Sequence, residues 1–320
     1  MNYCTYFDKN YLSRGLALYA SLLKNHKGKF HLYIVAFDKF TYDFLKKKNF
    51  KFTTCVYYQD FENKELKKVK KKRTVIEYLW TCTPFVIFFF IQKYKLNSCT
   101  YLDADIYFFS NPKIIYKNQN NYSVFITSHN YYPTYDQTLT SGKYCVQYLT
   151  FKNDREGLRV LNWWKKKCLK WCYNRVEGNK FGDQKYLDLW PEKFSGVVVA
   201  THHGAGVAPW NIKKFKIKRN KNFLIFEKGK SQELIFYHFH DLRIFFRNSL
   251  AFLSSYDLSQ EVFDKIYKPY IKKIISIEKK YKLYLNSNQE KIKLNFFNQL
   301  FLYIKLIIKF IVYYKNFKII

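Results

Sequence analysis

Two aspartates, Asp103 and Asp105, follow the apolar run Cys99-Thr100-Tyr101-Leu102. In an extended backbone residues i and i+2 project to one side, so both carboxylates can face one cation. Unpaired charge at the end of a buried strand is costly. A hard divalent ion, Mn2+ or Mg2+, that also takes a substrate's phosphate oxygens would relieve it. A solvated Asp-x-Asp loop is the plainer alternative. A third ligand is on offer in Phe236-Tyr237-His238-Phe239-His240-Asp241-Leu242-Arg243, where an apolar strand ends in two histidines on one face. Imidazole suits a manganese-like ion, with either His238 or His240 as the ligand, and Arg243 could then take a phosphate.

Two further stretches carry chemistry. Asp183 and Gln184 follow Gly182 and open a helix. There an acid is either a plain cap or a group that orients an acceptor hydroxyl or steadies a cationic sugar. Thr201 to Asn211, with Gly204 and Gly206, is the most glycine-rich part of a glycine-poor chain. Small residues let a ligand approach the backbone closely, although a tight turn would use the same residues.

These residues need positioning elements. Strands are expected at Tyr3 to Phe7, Phe30 to Phe37 and Phe52 to Tyr57, separated by helices over Leu12 to Asn25 and Tyr42 to Lys47. That alternation predicts an α/β fold with a mainly parallel sheet. A solvated basic segment, Glu62 to Arg73, precedes a long apolar helix over Thr74 to Tyr94, interrupted or kinked at Pro84, which feeds the strand bearing the two aspartates. Tyr122 to Thr127 and Tyr144 to Phe151 read as strands. Tyr131 to Ser141 between them reads as a polar loop long enough to cover a site. Phe223 to Phe226 and Leu234 to His240 read as a hairpin.

Composition narrows the classes. The chain has 320 residues, of which 48% are hydrophobic and 21% aromatic, which excludes global disorder. The net charge is +32, from 56 Lys+Arg against 24 Asp+Glu. It suits an anionic partner, but lysines run along the whole chain and no nucleic-acid motif is present. Seven scattered cysteines read as reduced, buried thiols. No basic-then-apolar leader precedes the first strand, so the cytoplasm is the expected location. Leu294 to Ile320 is apolar around Asn298, Lys305 and Lys309. It reads either as an interfacial helix on the cytoplasmic face of an anionic membrane or as a terminal helix docked on protein.

Together the motifs resemble the GT-A nucleotide-diphospho-sugar transferases, close to the family-eight-like glycosyltransferases of surface polysaccharide synthesis. The resemblance rests on Tyr6 to Leu12 with Arg14-Gly15, Glu77 to Pro84, Tyr101 to Asp105, Arg175 to Glu177 with Phe181 to Leu187, Gly204 to Asn211, and His238-Phe239-His240. It spans roughly Asn2 to Arg247; with the clearest boundary near Asn248 to Asp257 and a helical pattern from about Ser259, a GT-A domain over residues 1–250 and a helical C-terminal extension over 251–320 are expected. The resemblance implies a metal-dependent hexosyltransferase-like enzyme, retaining in stereochemistry, that moves a sugar from a nucleotide-diphosphate donor to a glycan or lipid-linked acceptor. By the resemblance, Thr5, Phe7 and Asp8 hold nucleobase and ribose, and Arg14 joins the donor site. Asp103, Asp105 and His238 bind the metal, Asp103 also lies near the sugar or ribose, and Asp183 and Gln184 sit beside the anomeric carbon. The chain departs from the family at Cys145, where Asn is expected, and at Asp241, where Gly is usual. The rival reading is a basic protein that binds nucleic acid or an anionic membrane without catalysis. Oligomeric state, nucleobase and sugar stay open.

Overall fold

The computed structural model describes residues 1–117, 119, 121–219, 222–227, 229–245, 250–253, 255–283 and 317–319. The chain divides into two compact units, Met1–His238 and Phe239–Ile320.

The first unit contains β1 (Asn2–Phe7), β2 (His31–Ala36), β3 (Thr53–Tyr57), β4 (Ser98–Leu102), β5 (Ile106–Phe108), β6 (Val124–Ser128) and β7 (Tyr144–Lys152). It continues through β8 (Val197–Val199), β9 (Ala205–Val207), β10 (Lys216–Arg219), β11 (Phe223–Glu227), β12 (Lys230–Glu233) and β13 (Phe236–His238). Seven strands form one sheet in the order β3-β2-β1-β4-β7-β6-β8. Four of its six pairings are parallel, with β7 antiparallel to both β4 and β6. The α/β fold with a mainly parallel sheet is therefore the one observed.

The Val75–Lys93 helix covers one face of this sheet. Its start is fixed by a capping box, with the Thr74 hydroxyl and Glu77 carboxylate each accepting the other's backbone N–H. The helix passes through Pro84 as one 19-residue element. It is long and apolar enough to cross a bilayer, but Cys82, Val86, Ile87, Phe90 and Ile91 are buried in the core instead. All seven cysteines are free thiols; six are buried and Cys55 is half-buried.

One expected pairing is wrong. Phe223–Glu227 does not pair with the strand that leads to His238. Its partners are β10 and β12, antiparallel to both. The chain turns back tightly, with Gly229 at φ +79°, so Lys230–Glu233 takes the hairpin position. Leu234 and Ile235 then carry the chain away, and β13 enters a separate sheet between β5 and β9.

The second unit packs Phe239 on Tyr270, ring centroids 3.6 Å apart and stacked, with Tyr267 edge-on. Its helical part runs from Gln260–Val262 through the π-helical Phe263–Tyr267 to Lys268–Tyr281. Its strands β14 (Leu242–Phe245), β15 (Leu250–Leu253) and β16 (Phe317–Ile319) form an antiparallel sheet. The stretch expected as an interfacial helix lies outside the described residues, apart from β16.

Candidate active site

β4 ends at Leu102, and the Asp103 N–H donates to the Gln147 carbonyl on β7 at 3.0 Å. The Asp103 carbonyl accepts from Ile106 N–H at 3.3 Å, so the chain turns through Asp105 into β5. That strand runs antiparallel to β13 in a register that pairs Ile106 with His238. Strand register thus sets the imidazole beside Asp105. His238 Nε2 lies 3.1 Å from Asp105 Oδ1 and 3.7 Å from Asp103 Oδ2. One ligand atom from each of the three side chains lies within 4.8 Å of the others. His240, the alternative ligand, belongs to the second unit, where it is exposed with its ring 6.1 Å from Tyr256.

The ring of His238 is held from behind. Its Nδ1 is 2.9 Å from Gln147 Oε1. An amide oxygen only accepts, so Nδ1 carries a proton and Nε2 is turned to the carboxylates. Gln147 is itself fully buried, with its Nε2 reaching Thr127 Oγ1 at 3.5 Å. Trp210 meets the ring edge-on at 5.4 Å, its indole N–H donating to the His129 carbonyl. The Tyr101 hydroxyl donates to Asp103 Oδ1 at 2.8 Å. Burial works against charge on His238, but Asp105, followed by Cys145 and Asp103, raises its pKa well above the usual histidine value. Burial likewise raises Asp103, His238 pulls it back and Asp105 raises it again. The Asp103 side chain keeps 28% exposure, so burial counts for less there than at a fully covered carboxyl. Two carboxylates and an imidazole oriented by a buried amide fit a divalent ion of the manganese kind.

Asp183 adjoins this cluster. It is 4% exposed, and its Oδ2 is buried with no hydrogen-bond partner among the described residues. Burial pushes its pKa up to about 7; the Thr83 hydroxyl opposes this and the Asp103 charge adds to it. Gly182, at φ +52°, sits where a Cβ would meet the Trp80 ring at 3.0 Å, and the Asp183 carbonyl accepts from Trp164 Nε1 at 2.8 Å. Gln184 Nε2 donates to the Ser141 carbonyl at 3.0 Å, which ties it to the loop expected to cover the site.

The remaining expected residues are placed as follows. Thr5 is fully buried, and its Oγ1 has no partner among the described residues. The Phe7 ring packs against Gly15, so closely that a Cβ there would lie 2.3 Å from it. Asp8 accepts from the Asn10 backbone and side chain, both at 2.9 Å, and holds the turn after β1. Arg14 lies over the Tyr11 ring at 4.8 Å. Arg243 is exposed on β14 of the second unit, paired with Phe252. Asp241, where the family usually has Gly, has φ +61° and accepts from Ser255 N–H at 3.0 Å. That left-handed backbone explains the usual glycine, and aspartate is among the few other residues that tolerate it.

Two residues escaped the sequence reading. Tyr11 keeps 45% of its surface exposed; the charge of Asp105, then burial, pushes its pKa up to about 12. An open aromatic ring therefore borders the acidic pair. Gln147, not Cys145, carries the amide of β7. The two share a strand face, and a buried glutamine in an apolar nine-residue strand was the available signal. A cavity of about 430 Å3 opens nearby, its lining including Tyr131, Thr138, Tyr144, His202, Ala205 and Gly206. A Cβ on Gly206 would lie 2.9 Å from Gln147 Nε2, which puts this cavity against the wall that holds His238.

No protein-family model matches the chain. It is 32% identical over 250 residues to the uncharacterized protein YfnF of Bacillus subtilis (strain 168), covering 76% of this chain and 82% of the relative. It is 30% identical over 257 residues to the uncharacterized protein YfnD of the same organism, covering 78% and 81%. The chain belongs to the YfnD/YfnF family. The solved structure of the galactosyltransferase LgtC, in complex with donor and acceptor sugar analogs, superposes with a TM-score of 0.54 at 10% identity, over 86% of this chain and 96% of that one. This member of the YfnD/YfnF family has the GT-A fold, as its motifs imply.

Proposed function

We propose that the chain is a metal-dependent glycosyltransferase that moves a sugar from a nucleotide-diphosphate donor to a glycan or lipid-linked acceptor, in the cytoplasm, for surface polysaccharide. The observation that carries the reading is the convergence of Asp103, Asp105 and His238, with Gln147 fixing the imidazole. When bound, a divalent ion at these three side chains supplies positive charge to the diphosphate as it leaves. Asp103, Asp105 and His238 hold that charge in place, and Tyr101 keeps the Asp103 carboxylate oriented. Tyr11, under Arg14, offers an exposed ring to a nucleobase, while Thr5 Oγ1 offers a buried polar atom without a partner among the described residues. Arg243 keeps its proposed part as a phosphate contact. The cavity at Gly206 is the proposed place for the acceptor, and Gln184, tied to the Ser141 carbonyl, is proposed to sit beside the anomeric carbon. Asp183, buried and part-neutral near pH 7, is proposed to orient the acceptor hydroxyl beside the anomeric carbon. Retention of anomeric configuration belongs to the proposal and rests on the resemblance alone.

A panel of nucleotide sugars, each with and without Mn2+, tests this by thermal stabilisation followed by product analysis. Ligand that binds only the native state raises its apparent stability. One donor should stabilise the chain in the presence of Mn2+ and yield transferred sugar. Stabilisation by none of the panel, or turnover unaffected by chelation, would remove the proposal.

A further inference from the structure

The Lys64–Lys70 helix is capped by the Asn63 side chain and buries Leu66. Lys70 is taken by Glu62 at 2.6 Å. Arg73 turns inward, donating to Thr81 and to the Leu169 carbonyl. Lys67, Lys68, Lys71 and Lys72 stay exposed and have no ion-pair partner among the described residues. Beside them the first turn of the Val75–Lys93 helix leaves Val75 75% exposed and Ile76 46% exposed. Val176 is 50% exposed, in a loop joined to that same turn by the Asn174 N–H donating to Glu77 Oε1 at 2.8 Å. Three aliphatic side chains thus stand in water next to four unpaired lysines.

This patch lies at the rim of the candidate site. Farther along the helix the Leu79 carbonyl accepts from Tyr6 and Thr83 faces Asp183. The loop bearing Val176 runs on through Gly182 to Asp183. An anionic bilayer satisfies both halves of the patch at once, since aliphatic side chains enter the headgroup boundary while lysines meet lipid phosphates. A nucleic acid would use the lysines and leave the aliphatic side chains in water. We propose that this rim docks the mouth of the site on an anionic lipid surface. The corollary, that the acceptor is carried by that surface, rests on the transferase reading; the docking does not.

The test is co-sedimentation of the full chain with phosphatidylcholine vesicles, with and without phosphatidylglycerol. Binding should require the anionic lipid. The triple variant Val75→Ser, Ile76→Ser, Val176→Ser leaves the charge unchanged and should weaken binding about tenfold or more. Lys71→Glu with Lys72→Glu should do the same. Lys46→Glu with Lys47→Glu makes the same charge change in the last turn of the Lys39–Lys48 helix, at the opposite end of the strands, and should cost less than about threefold. Circular dichroism confirms that each variant is folded. Wild-type binding by the serine variant, or equal loss from both lysine pairs, would overturn the proposal in favour of the chain's last stretch or of diffuse charge. Displacement of the vesicles by polyuridylate, with the serine variant unaffected, would overturn it in favour of nucleic acid. Donor-induced thermal stabilisation of the same variants is read separately, so a failure of docking and a failure of the transferase reading give different patterns.

Discussion

Gln147 decides which nitrogen of His238 is available. With Nδ1 held at 2.9 Å, the ring cannot flip without leaving a buried amide unpaired, which costs about 1–3 kcal/mol. Gln147→Leu should therefore weaken Mn2+ binding roughly 10- to 100-fold, the range for groups that orient metal ligands; unchanged affinity would show that packing by Trp210 suffices. Asp183 makes a prediction about stability. Its folded pKa of about 7 lies above the 3.8 of a free side chain, so the neutral form favours folding. That contribution is fully present below about pH 4 and is lost as pH rises through about 7, leaving a penalty of about 4 kcal/mol at pH 8 as an upper estimate. Asp183→Asn should match the wild type in urea unfolding near pH 4, exceed it at pH 8 and lose transfer. A variant no more stable than wild type at pH 8 would contradict the assignment of a carboxyl whose burial outweighs its Thr83 contact.

At the scale of elements, the approach of the Leu12–Asn25 helix to β1 depends on Gly15. Its missing side chain is replaced by the Phe7 ring. Gly15→Ala should destabilise the fold by about 1–3 kcal/mol through overpacking, read by urea unfolding; a neutral effect would mean that the ring moves aside at no cost. Most elements near the site were legible because their signals are local. The apolar run into Asp103, the helix periodicity after Asp8 and the apolar run after Thr74 are each contiguous in the chain. The hairpin after Phe223 was misread because both Lys230–Glu233 and the more apolar strand at 236–238 could follow the turn, and apolarity pointed to the wrong one. Gln147 was missed for a related reason. Nothing local says which residue of β7 faces His238, since that depends on the register between strands distant in the chain.

For the whole molecule, the net charge of +32 favours any anion and selects none, so specificity has to come from geometry. The large sheet sets β4 beside β7, the separate β5–β13 pair follows directly from the end of β4, and there the charge balance reverses locally to three acids and one imidazole. The motif order made the GT-A fold legible before any coordinates, whereas the exposed aliphatic rim at Val75 was hidden at the start of a segment that reads as one long apolar helix, whose first turn is not buried with the rest. The central claim is that Asp103, Asp105 and His238 hold a divalent ion together. Titration of Mn2+ followed by electron paramagnetic resonance of the free ion, with a nucleoside diphosphate present, tests it most directly. The wild type should take up one ion per chain, and Asp103→Asn, Asp105→Asn and His238→Ala should each weaken uptake tenfold or more while remaining folded. Equal uptake by all four proteins, or none by the wild type with any nucleoside diphosphate, would contradict the account.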